Sequence, residues 1–432
     1  MTMGIRARGT WWKVAGAAIA TAALVSTAGC GGGSDAGTSA GGGKVTLEFS
    51  QWWAPELPDG ALQGVINDFQ AANPNIEVKL LSGPYASTQD QTFTAAASGT
   101  MADVVGLDGA WVSDLHKQGA LADLSAQMKD SGYDASQLAS QVQLDGSTYM
   151  IPVVNFVYPL FVNDDLMKKA GVAKIPSTRT EFKDAADKVS KLSPTTKGWI
   201  IPLSTENPNG IQNDLMSWVW ASGGSMLKDG KPDLTNPAVT SATTFVKGLY
   251  DAGDVTKGAL TLQETDKVTE FSNGRVGMMI DSLSHIDSIK KAAPDLDLSI
   301  APIPAEDGYT GKRGIPYASW GIGVSDTSEH KAEAFKLVQY LMSEQVNSKL
   351  STLANAFPGN KASTPDFSGS DPLYKEAFDI YKAGYPANEF VGLPTATNLM
   401  RTFDEQFQKS LTGEQTVDQA LQAAQTEWAA KF

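Results

Sequence analysis

One cysteine in 432 residues, Cys30, settles at the outset what cannot hold this chain together. It stands where an apolar run gives way to glycine. Arg6, Arg8 and Lys13 precede an uncharged, Ala-rich stretch at 14–25, followed by Ser26-Thr27-Ala28-Gly29-Cys30 and three glycines. A basic end, a short apolar segment and small residues before a cut site make an export leader, here 1–29. The apolar part is too short and too rich in small residues for a membrane-spanning helix. Residues 30–43, mostly Gly, Ser, Ala and Thr, read as a flexible leash. An exported chain with a lone thiol has no internal disulfide, so its fold rests on a hydrophobic core alone. The remaining ~390 residues exceed one ordinary core, and two lobes are expected.

The small residues ending at Cys30 resemble the bacterial lipobox, whose cysteine takes a diacylglycerol and becomes the first mature residue. That implies a membrane anchor at Cys30 and a location on the extracellular face. No second apolar run approaches spanning length, because 150–162 is interrupted by Pro152, Asn155 and Pro159. Removing the leader, with three basic residues and no acid, takes the formal charge from −14 to −17. Nucleic acids and anionic ligands want basic patches, and none is visible. The ligand is expected to be neutral or cationic.

Strand and helix patterns alternate, which predicts α/β layering. Val45-Thr46-Leu47-Glu48-Phe49 and Ile76-Glu77-Val78-Lys79-Leu80 alternate as strands, and Leu62, Val65, Ile66 and Phe69 repeat at helical spacing between them. Asp103-Val104-Val105-Gly106-Leu107 reads as a short buried strand, and 150–163 as one long extended segment. Further strands are expected at 276–280, 296–300 and 321–324, and a helical pattern runs over 331–350. The final helix opens on a capping box, Thr416-Val417-Asp418-Gln419.

Five stretches together resemble a known family. They are Leu47-Glu48-Phe49-Ser50-Gln51-Trp52-Trp53; Ala102-Asp103-Val104-Val105-Gly106-Leu107-Asp108-Gly109-Ala110-Trp111, then Gly119-Ala120-Leu121-Ala122-Asp123-Leu124; and Tyr149-Met150-Ile151-Pro152, leading to Phe161-Val162-Asn163-Asp164-Asp165-Leu166 and Ala170-Gly171-Val172. Next come Phe271-Ser272-Asn273-Gly274-Arg275-Val276-Gly277-Met278-Met279 and Ala301-Pro302-Ile303-Pro304. Last is Gly413-Glu414-Gln415-Thr416-Val417-Asp418-Gln419-Ala420-Leu421. Their order and spacing resemble the extracellular solute-binding proteins, family 1, of maltose-binding-protein-like sugar ABC importers. The resemblance implies a two-lobed periplasmic-binding-protein-like fold of type II with a three-crossing hinge. Carried onto this sequence, the crossings fall near 157–161, near 316–320 and near residue 366. One lobe would hold 44–157 plus 320–365, the other 158–319 plus 366–432. It also implies a carbohydrate ligand held in the interlobe cleft, delivery to the membrane subunits of an ABC permease, and action as a monomer.

A pyranose offers patches of C–H bonds, which pack on aromatic faces, and hydroxyls, which pair with carboxylates and amides. Candidate contacts are therefore Trp or Tyr beside acidic or amide residues near strand ends. Gln51, Trp52 and Trp53 leave the first strand at the expected cleft edge, with one indole open to a core role because neighbours on a strand face opposite ways. Asp108 and Trp111 sit after the second short strand. Asn155 and Phe156 precede the first crossing, and Glu206 lies where the resemblance places an acidic ligand residue. Trp218 and Trp220 share a helical stretch and point apart, so one is expected in the core. Asp281 follows the 276–280 strand, where Ser282-Leu283-Ser284-His285 replaces the family's Gly-Pro-Trp. Tyr317, Trp320 and Gly321 lie at the second crossing, and Arg401 is a further candidate from the C-terminal helices.

No catalytic set emerges. The three histidines, His116, His285 and His330, lack metal-ligand spacing, and no nucleophile elbow, Walker loop or dinucleotide fingerprint is present. Neither enzyme activity nor cofactor nor metal is expected. Two other readings stay open: a receptor for a cationic small molecule (a quaternary amine or polyamine), since Trp beside Asp also makes a cation cage, and a surface glycosidase, whose carboxylate pair would be a matter of spatial separation.

Overall fold

The computed structural model describes residues 43–432; the leader, Cys30 and nearly all of the leash lie outside the described residues. Two sheets organise the molecule. In the larger, the strands run in the order Phe357–Pro358, Ser147–Val157, Gly314–Val324, Val104–Leu107, Val45–Gln51 and Ile76–Ser82. Val45–Gln51 is parallel to both neighbours, while Gly314–Val324 is antiparallel to Val104–Leu107 and to Ser147–Val157. The smaller sheet runs Leu298–Ala301, Leu160–Asn163, Val276–Ile280, Lys197–Trp199. Helices cover both: Ala61–Ala72 and Lys331–Leu341 pack on the larger sheet, Arg179–Ser190 and Pro372–Ala383 on the smaller. This is the two-lobed α/β architecture that the alternating pattern and the resemblance predict.

The pattern gave way at two places. The extended segment at 150–163 is two strands, because Pro159 has no N–H to donate to a ladder and the chain leaves one sheet for the other there. The helical pattern over 331–350 is also two elements, Lys331–Leu341 and Glu344–Ala354, parted where the Ser343 hydroxyl donates to the Tyr340 carbonyl. The capped final helix, Val417–Ala429, forms as its sequence directs, with Thr416 and Gln419 bonding reciprocally.

Where the chain leaves the larger sheet, the Tyr158 N–H donates to the Pro316 carbonyl at 3.0 Å, and just before it Phe156 pairs with Ala318 and Asn155 with Ser319 within that sheet. Ligand-sized space opens beside this junction.

Candidate ligand-binding site

Elements of both lobes enclose a cavity of about 320 Å³, at the small end of the range for ligand pockets. Its first wall is aromatic and begins with Gln51. That side chain is sealed from solvent; its Oε1 accepts the Ala54 N–H at 2.8 Å and its Nε2 donates to Ser82 Oγ at 2.6 Å. Gln51 thus fixes the short turn Trp53–Glu56, which aims Trp52 and Glu56 at the cavity. Trp52 meets Tyr85 edge-on, both at 5.2 Å from the ring of Trp111 behind them or from each other. Trp320 lies flat on Trp53 at 5.5 Å and meets Phe156 edge-to-face at 5.0 Å. Each ring is braced by another, so this wall is rigid.

Polar groups are set into it. Trp320 Nε1 donates to Glu56 Oε2 at 3.0 Å. The Glu56 carboxyl remains open to solvent at the cavity mouth, but protein crowds it; loss of water around the charge pushes it up to about 7, with the Trp320 N–H and His285 pulling the other way. Asp108 accepts from the Ala110 N–H at 2.8 Å and from the Tyr85 hydroxyl at 3.2 Å. Burial nonetheless holds its carboxyl above the usual range.

The facing wall comes from the other lobe. A π-turn, Ile211–Leu215, presents Gln212 and Asn213 to the cavity and Asp214 to the interior. Its widened i→i+5 geometry makes consecutive side chains diverge, a feature common at functional sites. Gly210 permits the approach: a Cβ there would sit 1.7 Å from the Pro202 carbonyl oxygen. Asn213 Nδ2 donates to Glu264 Oε1 at 3.3 Å. Below, Lys267 is wholly buried, 3.2 Å from Asp214 and 3.4 Å from Asp281. Asp281 in turn meets His285 Nδ1 at 3.0 Å. Burial disfavours the imidazolium, but Asp281 more than offsets this and holds His285 up at about 9, leaving a charged ring on the cavity wall. Burial likewise opposes the Asp281 anion, and His285 and Lys267 together keep it below the usual carboxylate range. No serine hydroxyl among the described residues bonds His285 Nε2.

Among the residues singled out in the sequence, Trp52, Asp108, Phe156 and Trp320 line the cavity. Three others stand directly behind the lining: Gln51 fixes the turn, Trp53 backs Trp320, and Trp111 backs Trp52. Asn155 is also one bond removed, accepting from Ser319 Oγ at 2.8 Å. Asp281 is fully buried and acts on the cavity through His285. Tyr317 faces a small adjoining hollow that also touches Asp108.

The rest are corrections. Both Trp218 and Trp220 are interior: Trp218 sits among Phe182, Trp199 and Phe245, and Trp220 Nε1 donates to Glu389 at 2.8 Å. Glu206 is exposed and away from the lining. Gly321 is a packing residue, since a Cβ would lie 2.2 Å from the Met150 methyl. Arg401 donates to the Thr205 carbonyl at 2.8 Å instead of reaching the cavity.

Sequence reasoning passed over Glu56, Tyr85, Tyr158, Gln212, Asn213, Glu264 and His285, all on the lining. Glu56 carried a usable signal, lying three residues beyond the paired indoles. His285 carried another, because it stands in the segment that departs from the family pattern. Glu264 and the π-turn carried none.

A family profile described as bacterial extracellular solute-binding protein matches residues 54–348. A protein of Brucella abortus described as a binding protein is 28% identical over 329 residues, covering 75% of this chain and 78% of that one. The multiple sugar-binding protein of Streptococcus mutans is 22% identical over 318 residues, covering 71% and 73%. The GacH receptor of Streptomyces glaucescens, solved unliganded and with acarbose, superposes with a TM-score of 0.73 over 90% of this chain and 98% of that one, at 20% identity.

Proposed function

The chain belongs to the bacterial extracellular solute-binding protein family, and from that premise we propose that it is a lipid-anchored receptor that captures a mono- or oligosaccharide and hands it to an ABC importer. The observation that carries this reading is one cavity in which stacked aromatic rings, with Glu56 and Asp108 set among them, face Gln212, Asn213, Glu264 and His285. C–H patches of a sugar suit the first wall and its hydroxyls the second. The multiple sugar-binding relative and the acarbose-binding structural neighbour support the same ligand class.

The lobes in this reading are 44–157 plus 320–365 and 158–319 plus 366–432, hinged near 157–161, 316–320 and residue 366. Support comes from Tyr158-Pro159, where the chain leaves one sheet for the other, and from the Pro372–Ala383 helix, which packs on the smaller sheet. A sugar that touches both walls adds affinity only when they approach, so binding shifts the population toward a closed form that a permease recognises. Cys30 carries the lipid and 30–43 is the leash. Neither the cationic-ligand reading nor the glycosidase reading is needed to account for the wall of rings.

A thermal-shift screen against neutral and aminated mono- and oligosaccharides, quaternary amines and polyamines tests this, since ligand binding raises stability by mass action. A saccharide should raise the melting temperature and contract the molecule in solution scattering. A response to quaternary amines or polyamines alone, or sugar release from an oligosaccharide on prolonged incubation, would overturn it.

A further inference from the structure

The cavity is short of positive charge. Glu56, Asp108 and Glu264 line it, and no lysine or arginine does. Behind it Asp214 and Asp281 share Lys267, and Asp281 also binds His285. On the lining itself three carboxyl groups meet a single cation, the His285 ring, which Asp281 already engages from behind. A second observation is independent of charge. Asn213 is 2% exposed, its Nδ2 donates to Glu264, and its Oδ1 has no donor among the described residues. A buried amide oxygen without a partner costs stability unless a ligand supplies one.

We propose that the ligand carries a protonated amine with at least one N–H, seated among Glu56, Glu264 and the Asn213 carbonyl. This rests on reading the cavity as a saccharide site and names the saccharide class: an amino sugar or a sugar with a basic nitrogen bridge. A quaternary ammonium would bring charge but no N–H, leaving Asn213 Oδ1 orphaned. A neutral hydroxyl would donate but leave the carboxylates uncompensated as the lobes exclude water. An ammonium answers both needs, and its charge drives Glu56 to give up the proton it partly holds near neutral pH. The groups facing Glu56 are Glu264 from one helix, His285 from the other lobe's wall, and the Trp320 N–H.

Calorimetry on the full described chain with two matched pairs tests this: chitosan disaccharide against its N-acetylated counterpart, and acarbose against maltotetraose. At pH 7 the basic member of at least one pair should bind tenfold or more tightly than its neutral partner. Its apparent enthalpy should differ between phosphate and Tris buffers, reporting proton release. Glu56→Gln, which keeps an acceptor for Trp320, should bring that preference close to parity, and Glu264→Gln should reduce it. Equal or tighter binding of the neutral members, or no buffer dependence, overturns the inference while leaving a saccharide receptor. Binding of spermidine with no sugar of either pair overturns the saccharide reading and sustains the amine. Binding of nothing in the set overturns both.

Discussion

Two groups of carboxylates around the same cavity meet opposite fates. Asp214 and Asp281 are sealed from solvent and share Lys267, which also donates to the Ile280 carbonyl. Glu56, Asp108 and Glu264 face the cavity without any lysine or arginine. The first set is neutralised within the fold and stabilises only as a set, because a buried charge is tolerable only when paired. The second set is left for something outside the chain. His285 bridges the two, touching Asp281 on one side and the cavity on the other.

The sharpest way to break this contrast is to remove the shared cation. Lys267→Met keeps the volume but strands Asp214 and leaves Asp281 to His285 alone, and should cost about 3–5 kcal/mol in urea denaturation at pH 7. Because burial pushes Asp214 up to about 8 even beside Lys267, that cost should grow as pH rises through that value, where only the native protein can ionise Asp214 against a cation. A loss under ~1 kcal/mol would mean that the interior set is not a unit.

The indoles repeat the contrast. Trp199 and Trp218 meet at 5.6 Å in a buried cluster, and both indole N–H groups lack partners among the described residues. Trp320, on the cavity, spends its N–H on Glu56. Trp218→Ala should therefore cost about 3 kcal/mol of stability, read by denaturation, with little change in ligand affinity for the folded fraction. Trp320→Ala and Asp108→Ala should each weaken saccharide binding at least tenfold, about 1.4 kcal/mol by calorimetry. Unchanged affinity in both would remove these residues from the site and leave the fold untouched.

The smallest expected effect sharpens the role of His285. Its folded value lies above the ordinary imidazole value of 6.5, so its stabilisation is fully present below that pH and is lost as pH rises through about 9. His285→Gln should flatten the stability profile between those limits by on the order of 1 kcal/mol, allowing for partial exposure of the ring. An unaltered profile would mean that the ring carries no charge at neutral pH.

How far the sequence could be read follows from how local each signal is. The Val45–Gln51 strand, the Ala61–Ala72 helix and the capped final helix announce themselves within a dozen residues, and they form as written. The Gln51-Trp52-Trp53 triplet pointed to the cavity wall but not to the separate tasks of its members: fixing the turn, lining and backing. Trp218 and Trp220 looked like alternatives, one inside and one at the site. Both are interior, because side chains two apart point to different neighbours and here each direction meets packed protein.

What the amino-acid order determined by itself is the leader pattern, the absence of any disulfide, the alternation of strands and helices, and an acidic balance that disfavours anionic partners. Those depend on short windows or on simple counts. What only the tertiary structure decided is the composition of the cavity. Glu56, Asn213, Glu264 and His285 come from four separate segments, one of them a π-turn that no periodicity marks. Their meeting, and the excess of negative charge it creates, depends on how two sheets are set against each other, and that is fixed by packing across the whole chain.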